Sequence, residues 1–439
     1  MLKGQTYRIY PTDEQERKLR MFIGCARSMY NKCLGWYKDA YREWKENGTE
    51  IGHVPLVTAF KKEYEYFGEC DNAAIAAARA NFERALKDFF KSMKGERKGR
   101  RLGFPQFKKK GKCKDAYRTC DAHGTIRFNE NNEIRLPKVG WVRCVRHRVV
   151  DGEIKGVTVE MRRSGKFYIS VTYEVPDPVI VTKTPRSPSE MAVAGLDMSL
   201  GRFLVSSDEA DDTITKYRRL YRGEERRMAV LQRRMHRKMM TEDGNGHGRR
   251  SANREKARLR YARLCERTAN RRKDFIIKTA LHFARKYDAV VIEDLDMQAM
   301  ARSLNLGKSV MDLGWGKFRH WMEWECRKHG TLLVKADRWF PSSKTCGHCG
   351  AVYTGLKLSD REWVCPECGC IVDRDRNAAE NLRRWFFEHI DEIYSTDGTS
   401  GIQACGEPAS ASRTTAECAV PMKQEPSAGD PEAPSFREG

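Results

Sequence analysis

Four cysteines have the spacing of a metal-binding knuckle pair. Cys346-Gly347-His348-Cys349 and Cys365-Pro366-Glu367-Cys368 are two C-x₂-C pairs with 15 residues between Cys349 and Cys365. That is the short end of the four-cysteine zinc pattern. Two thiolates separated by two residues can bind one tetrahedral ion, and Gly347 and Gly350 ease the turns. A redox pair would need a single C-x-x-C beside a βαβ unit. Four sulfur ligands leave no open position, so the one Zn²⁺ expected here holds structure and does no chemistry. Cys370 and His348 read as bystanders. The chain has 15 cysteines, and an odd count without an export signal argues against a disulfide framework.

The second set of candidates is acidic. Asp197 ends the apolar run of AVAGLDMSLGRFLVSS (Ala192–Ser207), Glu293 ends that of DAVVIEDL (Asp288–Leu295), and CIVDRDRNAAEN (Cys370–Asn381) offers Asp373 and Asp375. Hydrolysis of a phosphodiester by such groups needs a carboxylate cluster. Two divalent ions about 4 Å apart activate the water and stabilise the leaving oxygen, and carboxylates hold both. Mg²⁺ keeps several of its waters, so three or four acids suffice. Each acid alone means little, since an aspartate at a strand end commonly caps or pairs. Asp294, Asp296 and Asp337 are decoys of that kind.

The elements that must position these groups follow from periodicity. The second half reads as strand, strand, basic helices, a helix over Asp274–Lys286, a strand, a helix over Trp315–His329 and the strand Thr331–Asp337. Acids at strand ends in such an α/β order are what a ribonuclease-H-like core shows. In the first half, Tyr7–Tyr10 reads as a strand closed by Pro11. Thr12 and Gln15 form a capping box ahead of an apolar stripe running from Leu19 to Tyr37. Asn72–Met93 is a second amphipathic helix. From Ala116 to Val175 the period falls to two, with strands at Thr125–Phe128, Glu133–Leu136, Trp141–Val145 and Val157–Met161. Lys166–Val175 follows a turn as the second arm of a hairpin. This is a small all-β unit, read as a barrel. Pro176–Glu190 is a linker.

Charge narrows the partner. The 439 residues carry 82 Lys and Arg against 60 Asp and Glu, a net +22. No stretch approaches the roughly 20 apolar residues of a membrane span, and MLKGQTYRIYPTDEQ lacks the apolar region of a secretory signal. With 40% hydrophobic residues and nine Trp, wholesale disorder is excluded as well. The excess points to a polyanion, most plausibly nucleic acid. From Asp397 onward the chain is rich in Ser, Pro, Gly and Ala, with three basic and seven acidic residues, and reads as a disordered tail of net −4. The body is therefore near +26. Lys94–Lys114 holds ten cations in 21 residues, interleaved with Phe104 and Phe107, and reads as a phosphate-tracking loop with stacking rings. Lys216–Lys273 holds 21 cations against six acids in 58 residues, with a break at Gly244–Gly248. Like charges so dense destabilise an isolated helix, which a polyanion would relieve.

The order GLDMSL (Asp197), VVIEDL (Glu293), the paired C-x₂-C knuckles and DRDRNAAENL resembles the TnpB family, transposon-encoded relatives of type V CRISPR effectors. TYRIYPT at Thr6–Thr12, GFPQFKKK at Gly103–Lys110 and IRLPKVGWVR at Ile134–Arg143 extend the resemblance over the chain up to about Ser395. It implies an RNA-guided, Mg²⁺-dependent DNA endonuclease of a bacterial transposon, cutting next to a short flanking motif. The fold implied is α+β and multidomain. Residues 1–175 would be a recognition and wedge lobe, with helices of about 12–100 inserted in a β unit of about 1–10 and 116–175. After a linker at 176–190, a RuvC-like (ribonuclease-H-like) nuclease would comprise 191–345 and 370–394, with a four-Cys zinc ribbon inserted at 346–369 and a disordered tail at 395–439. The implied triad is Asp197, Glu293 and Asp375, holding two Mg²⁺. Asp375 is preferred to Asp373 because in such proteins the acid sits two residues before the asparagine, here Asn377. The implied partners are a guide RNA from the transposon end and double- and single-stranded target DNA, and the implied setting is the bacterial cytoplasm at the nucleoid, with the chain a monomer. A guide–target heteroduplex is gripped through its backbone, and Lys108, Lys109, Lys110, Arg249, Arg250, Arg271 and Arg272 are candidate contacts.

Four other readings compete. A nuclease-inactive relative acting as a repressor would lack one of the acids. A compact type V CRISPR effector would share the chemistry and differ in its guide. A strand-joining transposase would also use three acids, but knuckles between the second and third favour the nuclease. A zinc-containing nucleic-acid-binding protein would cut nothing.

Overall fold

The computed structural model describes residues 2–120, 124–176, 187–217, 219–238, 240–242, 248–296, 299–300, 307–357 and 360–395. Most of the linker at 176–190 and nearly all of the tail at 395–439 therefore lie outside the described residues.

The chain enters through strand β1 (Leu2–Tyr10) and helix α1 (Asp13–Asn47). Thr12 caps the helix as its spacing predicts, accepting from Gln15 N while the Gln15 side chain accepts from Thr12 N. Nothing interrupts the helix beyond Tyr37 until Gly48, whose φ of 69° supplies the left-handed stop. Helices α2 (Val57–Glu63) and α3 (Asn72–Met93) follow. The remaining strands of this half are β2 (Ala116–Cys120), β3 (Glu133–Leu136), β4 (Gly140–Cys144), β5 (Glu153–Met161) and β6 (Phe167–Glu174). All pairs are antiparallel in the order β2-β5-β6-β1-β4-β3, so the all-β unit is a half-barrel with two edges. The strand expected at Thr125–Phe128 is absent. Only Phe128 bridges, to Ile134, and Ile126 is buried.

The second sheet runs β12-β11-β7-β8, with β7 (Val193–Asp197), β11 (Ala289–Glu293) and β12 (Leu332–Ala336) parallel and β8 (Val205–Ser206) antiparallel. A parallel sheet must be covered on both faces, and the alternation of these short apolar runs sorts their residues. Ala194, Leu196, Val290 and Ile292 join a core with Ile276, Phe283, Trp315 and Phe318, whereas Val193, Ala289 and Val291 join Leu382 and Phe386. The first face is covered by helices spanning Ala252–Lys286 and Trp315–His329, the second by the helix Arg374–Glu388. Each large apolar side chain so buried contributes about 1.5–3 kcal/mol.

The basic stretch folds as α4 (Asp212–Thr215), α5 (Leu220–His236), a hairpin of β9 (Met240–Glu242) and β10 (Gly248–Arg250), and α6. Helix α6 is Ala252–Lys286, 35 residues, so the separate helix expected from Asp274 is only its C-terminal part. No glycine or proline breaks it, and Ser251 caps it through Arg254 N. Its Glu266 ties the halves together, pairing at 3.1 Å with both Arg162 and Lys166 of the β5–β6 hairpin. Helices α7 (Gly307–Leu313) and α8 (Trp315–His329) follow. The ribbon strands β13 (Glu362–Val364) and β14 (Ile371–Asp373) lead into α9 (Arg374–Glu388) and α10 (Ile390–Ser395).

Candidate active site

Asp197 and Glu293 stand at the C-terminal ends of adjacent parallel strands. The register pairs Ile292 with Leu196, so each acid is the next residue out from that pair. Strands in a sheet lie about 4.8 Å apart, which brings the two carboxylates to one crevice. Asp375 arrives from the opposite layer, in the first turn of α9. The close approach of α9 depends on Gly195. A Cβ there would lie 2.0 Å from Ala379 O and 2.6 Å from Arg383 N, so no larger residue fits while the helix rests on β7.

Asp197 lies within electrostatic reach of both other acids. Burial raises the Asp197 carboxyl well above its usual range, and Glu293 and then Asp375 push it further the same way, while Arg374 and Arg361 pull it back. Burial also raises Glu293, opposed by the Ser342 hydroxyl and by Arg374. Ser342 Oγ donates to Glu293 Oε1 at 2.5 Å, and Ser199 Oγ donates to Asp375 Oδ2 at 2.7 Å. Arg361 of the ribbon reaches Asp375 at 3.3 Å.

Asp373 has a different task. It caps α9, accepting from Arg376 N at 2.8 Å. The other nearby acids also have local partners: Asp294 pairs with Arg338 and Arg319, Asp337 accepts from Trp339 N, and Asp296 accepts from Ala299 N. Ser199, Ser342, Arg361 and Arg374 were not singled out by sequence, since a lone serine or arginine carries no spacing signal.

The four cysteines converge. Their Sγ atoms all lie within 4.8 Å of one another, with Cys346–Cys368 at 3.7 Å and Cys349–Cys365 at 3.6 Å. Bonds of 2.3 Å to a tetrahedral Zn²⁺ would set sulfurs about 3.8 Å apart, so the cluster can hold a metal. Among the described residues these four form the group of metal-ligating side chains drawn close enough to share one ion. One face of α9 hooks the ribbon to the crevice. Asn377 bonds Gly347 N and Thr345 O, Asn381 bonds Ser342 O and Thr345 O, and Arg384 bonds Gly347 O. Because Ser342 also holds Glu293, knuckle and carboxylate share a hydrogen-bonded path.

The candidate phosphate contacts divide. Lys109, Lys110 and Arg271 are exposed. Lys108 is half-buried with its ammonium 3.6 Å from the centre of the Tyr30 ring, and burial lowers its pKa. Arg272 bonds Met311 O and approaches the buried Asp312. These two cations therefore have partners within the fold. Arg249 and Arg250 lie on β10, in register with Thr241 and Met240. Phe104 is half-buried and packs against Phe89 and Tyr37, whereas Phe107 is exposed.

Three family models match the chain: "Helix-turn-helix domain" over residues 1–46, "Probable transposase" over 170–304 and "Cas12f1-like, TNB domain" over 315–382. The first of these segments is, in this structure, one strand and a single long helix. A Streptomyces pristinaespiralis protein named "Putative RNA-guided DNA endonuclease" is 32% identical over 384 residues, covering 86% of this chain and 87% of that protein. The InsQ protein of Escherichia coli K12, of the same designation, is 26% identical over 442 residues, covering 97% of each. The cryo-EM structure of a Cas12f1–sgRNA–target DNA complex superposes with a TM-score of 0.50 at 16% identity, covering 87% of this chain and 98% of that one, which establishes a shared fold.

Proposed function

The chain belongs to the TnpB family, and on that premise we propose that it is an RNA-guided DNA endonuclease hydrolysing phosphodiesters at Asp197, Glu293 and Asp375. The observation that carries the reading is the convergence on Asp197: Glu293 and Asp375 both disfavour its ionisation. Two acids raised by burial, Asp197 and Glu293, with Asp375 acting on the first, are costly to the fold unless cations offset them.

The donor set fits Mg²⁺. It consists of hard carboxylate oxygens, the ligand type Mg²⁺ favours, and a carboxylate set of this kind can serve two ions about 4 Å apart. When bound, such ions activate a water and stabilise the leaving oxygen. The chain's own residues hold the frame. Ser342 orients Glu293, Ser199 orients Asp375, and Arg361 and Arg374 offset part of the repulsion among the acids. The four thiols fit a closed structural Zn²⁺. Its role is to fold the ribbon against α9 and so fix Ser342.

The proposed partners are a guide RNA from the transposon end and the DNA it matches. Lys109, Lys110 and Arg271, with Arg249 and Arg250 on β10, are proposed to line a backbone-tracking channel. The half-barrel and helices α1–α3 form the proposed recognition lobe, and residues from 191 onward the nuclease with its ribbon. The test is to express the protein with its locus, purify it and sequence the RNA that accompanies it. A discrete RNA whose matched DNA is cut only with Mg²⁺ is the expected result. A preparation free of RNA, or cutting indifferent to the guide, refutes the proposal.

A further inference from the structure

Trp339 is 85% exposed, the most exposed of the large apolar side chains among the described residues. Tryptophan is highly buried on average, so an indole left in water beside a functional crevice calls for an occupant. Its position is tightly determined by its neighbours. Strand β12 ends at Ala336, which is in register with Glu293. The loop then leaves the sheet and returns to the same carboxylate, because Ser342 donates to Glu293. Between these two points Arg338 pairs with Asp294 at 2.5 Å, and Trp339 N donates to Asp337 Oδ1 at 2.7 Å. Phe340 turns inward and packs on Trp385. Asn381 of α9 holds the loop at Ser342 O. The loop is anchored on both sides of Trp339, whose indole is its one large apolar group left in solvent.

We propose that Trp339 is a stacking platform for an unpaired nucleobase of the strand entering the carboxylate crevice. An aromatic side chain on a preorganised loop loses little entropy on binding. Stacking on an aromatic ring tolerates any base, since every base has a π-face. A nuclease whose sequence is read by a guide needs such a sequence-blind grip next to its scissile phosphate. A second apolar protein surface is the weaker occupant, because Glu293, bonded to Ser342 of the loop, and the paired ions of Asp294, Arg319 and Arg338 adjoin it. The proposal rests on the nuclease reading above, for which it names a substrate-binding residue.

The test uses the full protein with its guide and a target strand carrying 2-aminopurine at successive positions, assembled in Ca²⁺. One position, or two adjacent ones, should be quenched in the wild type and in Trp339→Phe, and unquenched in Trp339→Ala and Trp339→Leu. In Mg²⁺, KM for single-stranded substrate should rise about tenfold in Trp339→Ala, with kcat within about twofold, and Trp339→Phe should restore most of it. An abasic nucleotide at the quenched position should make wild type and Trp339→Ala equal. Quenching unchanged in Trp339→Ala, or Trp339→Leu behaving as wild type, overturns the proposal. If quenching depends on Trp339 while no variant cuts, the base site stands and the nuclease reading falls.

Discussion

Gly195→Ala puts one methyl group between the sheet and the helix that carries Asp375. The added carbon would lie 2.0 Å from Ala379 O, 2.6 Å from Arg383 N and 3.0 Å from Leu382 Cβ. Ordinary contact begins at 3.4 Å, so α9 must retreat by more than 1 Å, and the obstacles are backbone atoms that cannot rotate away. Overpacking of this kind costs about 1–3 kcal/mol. For a unit of the nuclease's size that lowers Tm by roughly 2–4 °C per kcal/mol. The catalytic loss is larger. A displacement of about 1 Å at reacting groups costs on the order of 10²-fold in rate, because Asp375 would leave both Ser199 and Asp197. The assay is guide-dependent cleavage at saturating Mg²⁺ alongside a thermal melt and guide-RNA binding, with Gly223→Ala as control. Gly223 lies on α5 with nothing within 4 Å of an added Cβ, and there the methyl should raise stability by about 0.5–1 kcal/mol. Gly195→Ala with wild-type melting and wild-type cleavage would refute the packing argument outright.

Three further outcomes follow from the same geometry. Purified protein should carry about one Zn²⁺ by atomic emission, and Cys365→Ser should lose it and reduce cleavage more than guide binding, since the ribbon reaches Glu293 through Asn381 and Ser342. Hydrogen bonds from Lys286 and from Ala210 N hold Asp208 down at about 2; a carboxyl depressed in the folded state stabilises above its unfolded value of about 3.9 and loses that contribution as pH falls toward about 2. Asp208→Asn should therefore flatten the acid side of the melting curve in that window and leave neutral stability less favourable. Arg272→Ala should lower Tm, because it strips the buried Asp312 of its nearby cation, whereas Arg271→Ala should leave Tm unchanged and weaken nucleic-acid binding with a shallower salt dependence.

Legibility in the sequence followed the range of the interaction. The capping box at Thr12 and Gln15 needs three residues of context and was readable, as were the helices Asn72–Met93 and Trp315–His329. The cysteine knuckles were equally clear, since ligand spacing is itself local. The acids at strand ends could be proposed because apolar runs ending in carboxylate have a recognisable shape. Their hydroxyl and guanidinium partners could not, because Ser199 and Asp375 are 176 residues apart in the chain and nothing local marks either serine. Helix α6 was misread as two pieces because its apolar stripe strengthens at Phe275, where it begins to pack on the sheet. Within the basic clusters, neighbouring cations were named together as candidate contacts. Burial decides between Lys108 on Tyr30 and the exposed Lys109, and charge counting cannot see it. One signal was present and unused: Gly195 within an otherwise continuous apolar strand marks a close backbone approach.

The most direct measurement compares Asp375→Asn with Asp373→Asn in programmed cleavage and in binding of guide and target. Asparagine caps a helix as well as aspartate does, so Asp373→Asn should keep α9 and cut within a few-fold of wild type. Asp375→Asn should bind guide and target as wild type and cleave at background. Cleavage retained in Asp375→Asn, or lost in Asp373→Asn with binding intact, would contradict the assignment of the crevice between β7, β11 and α9 as the site of hydrolysis.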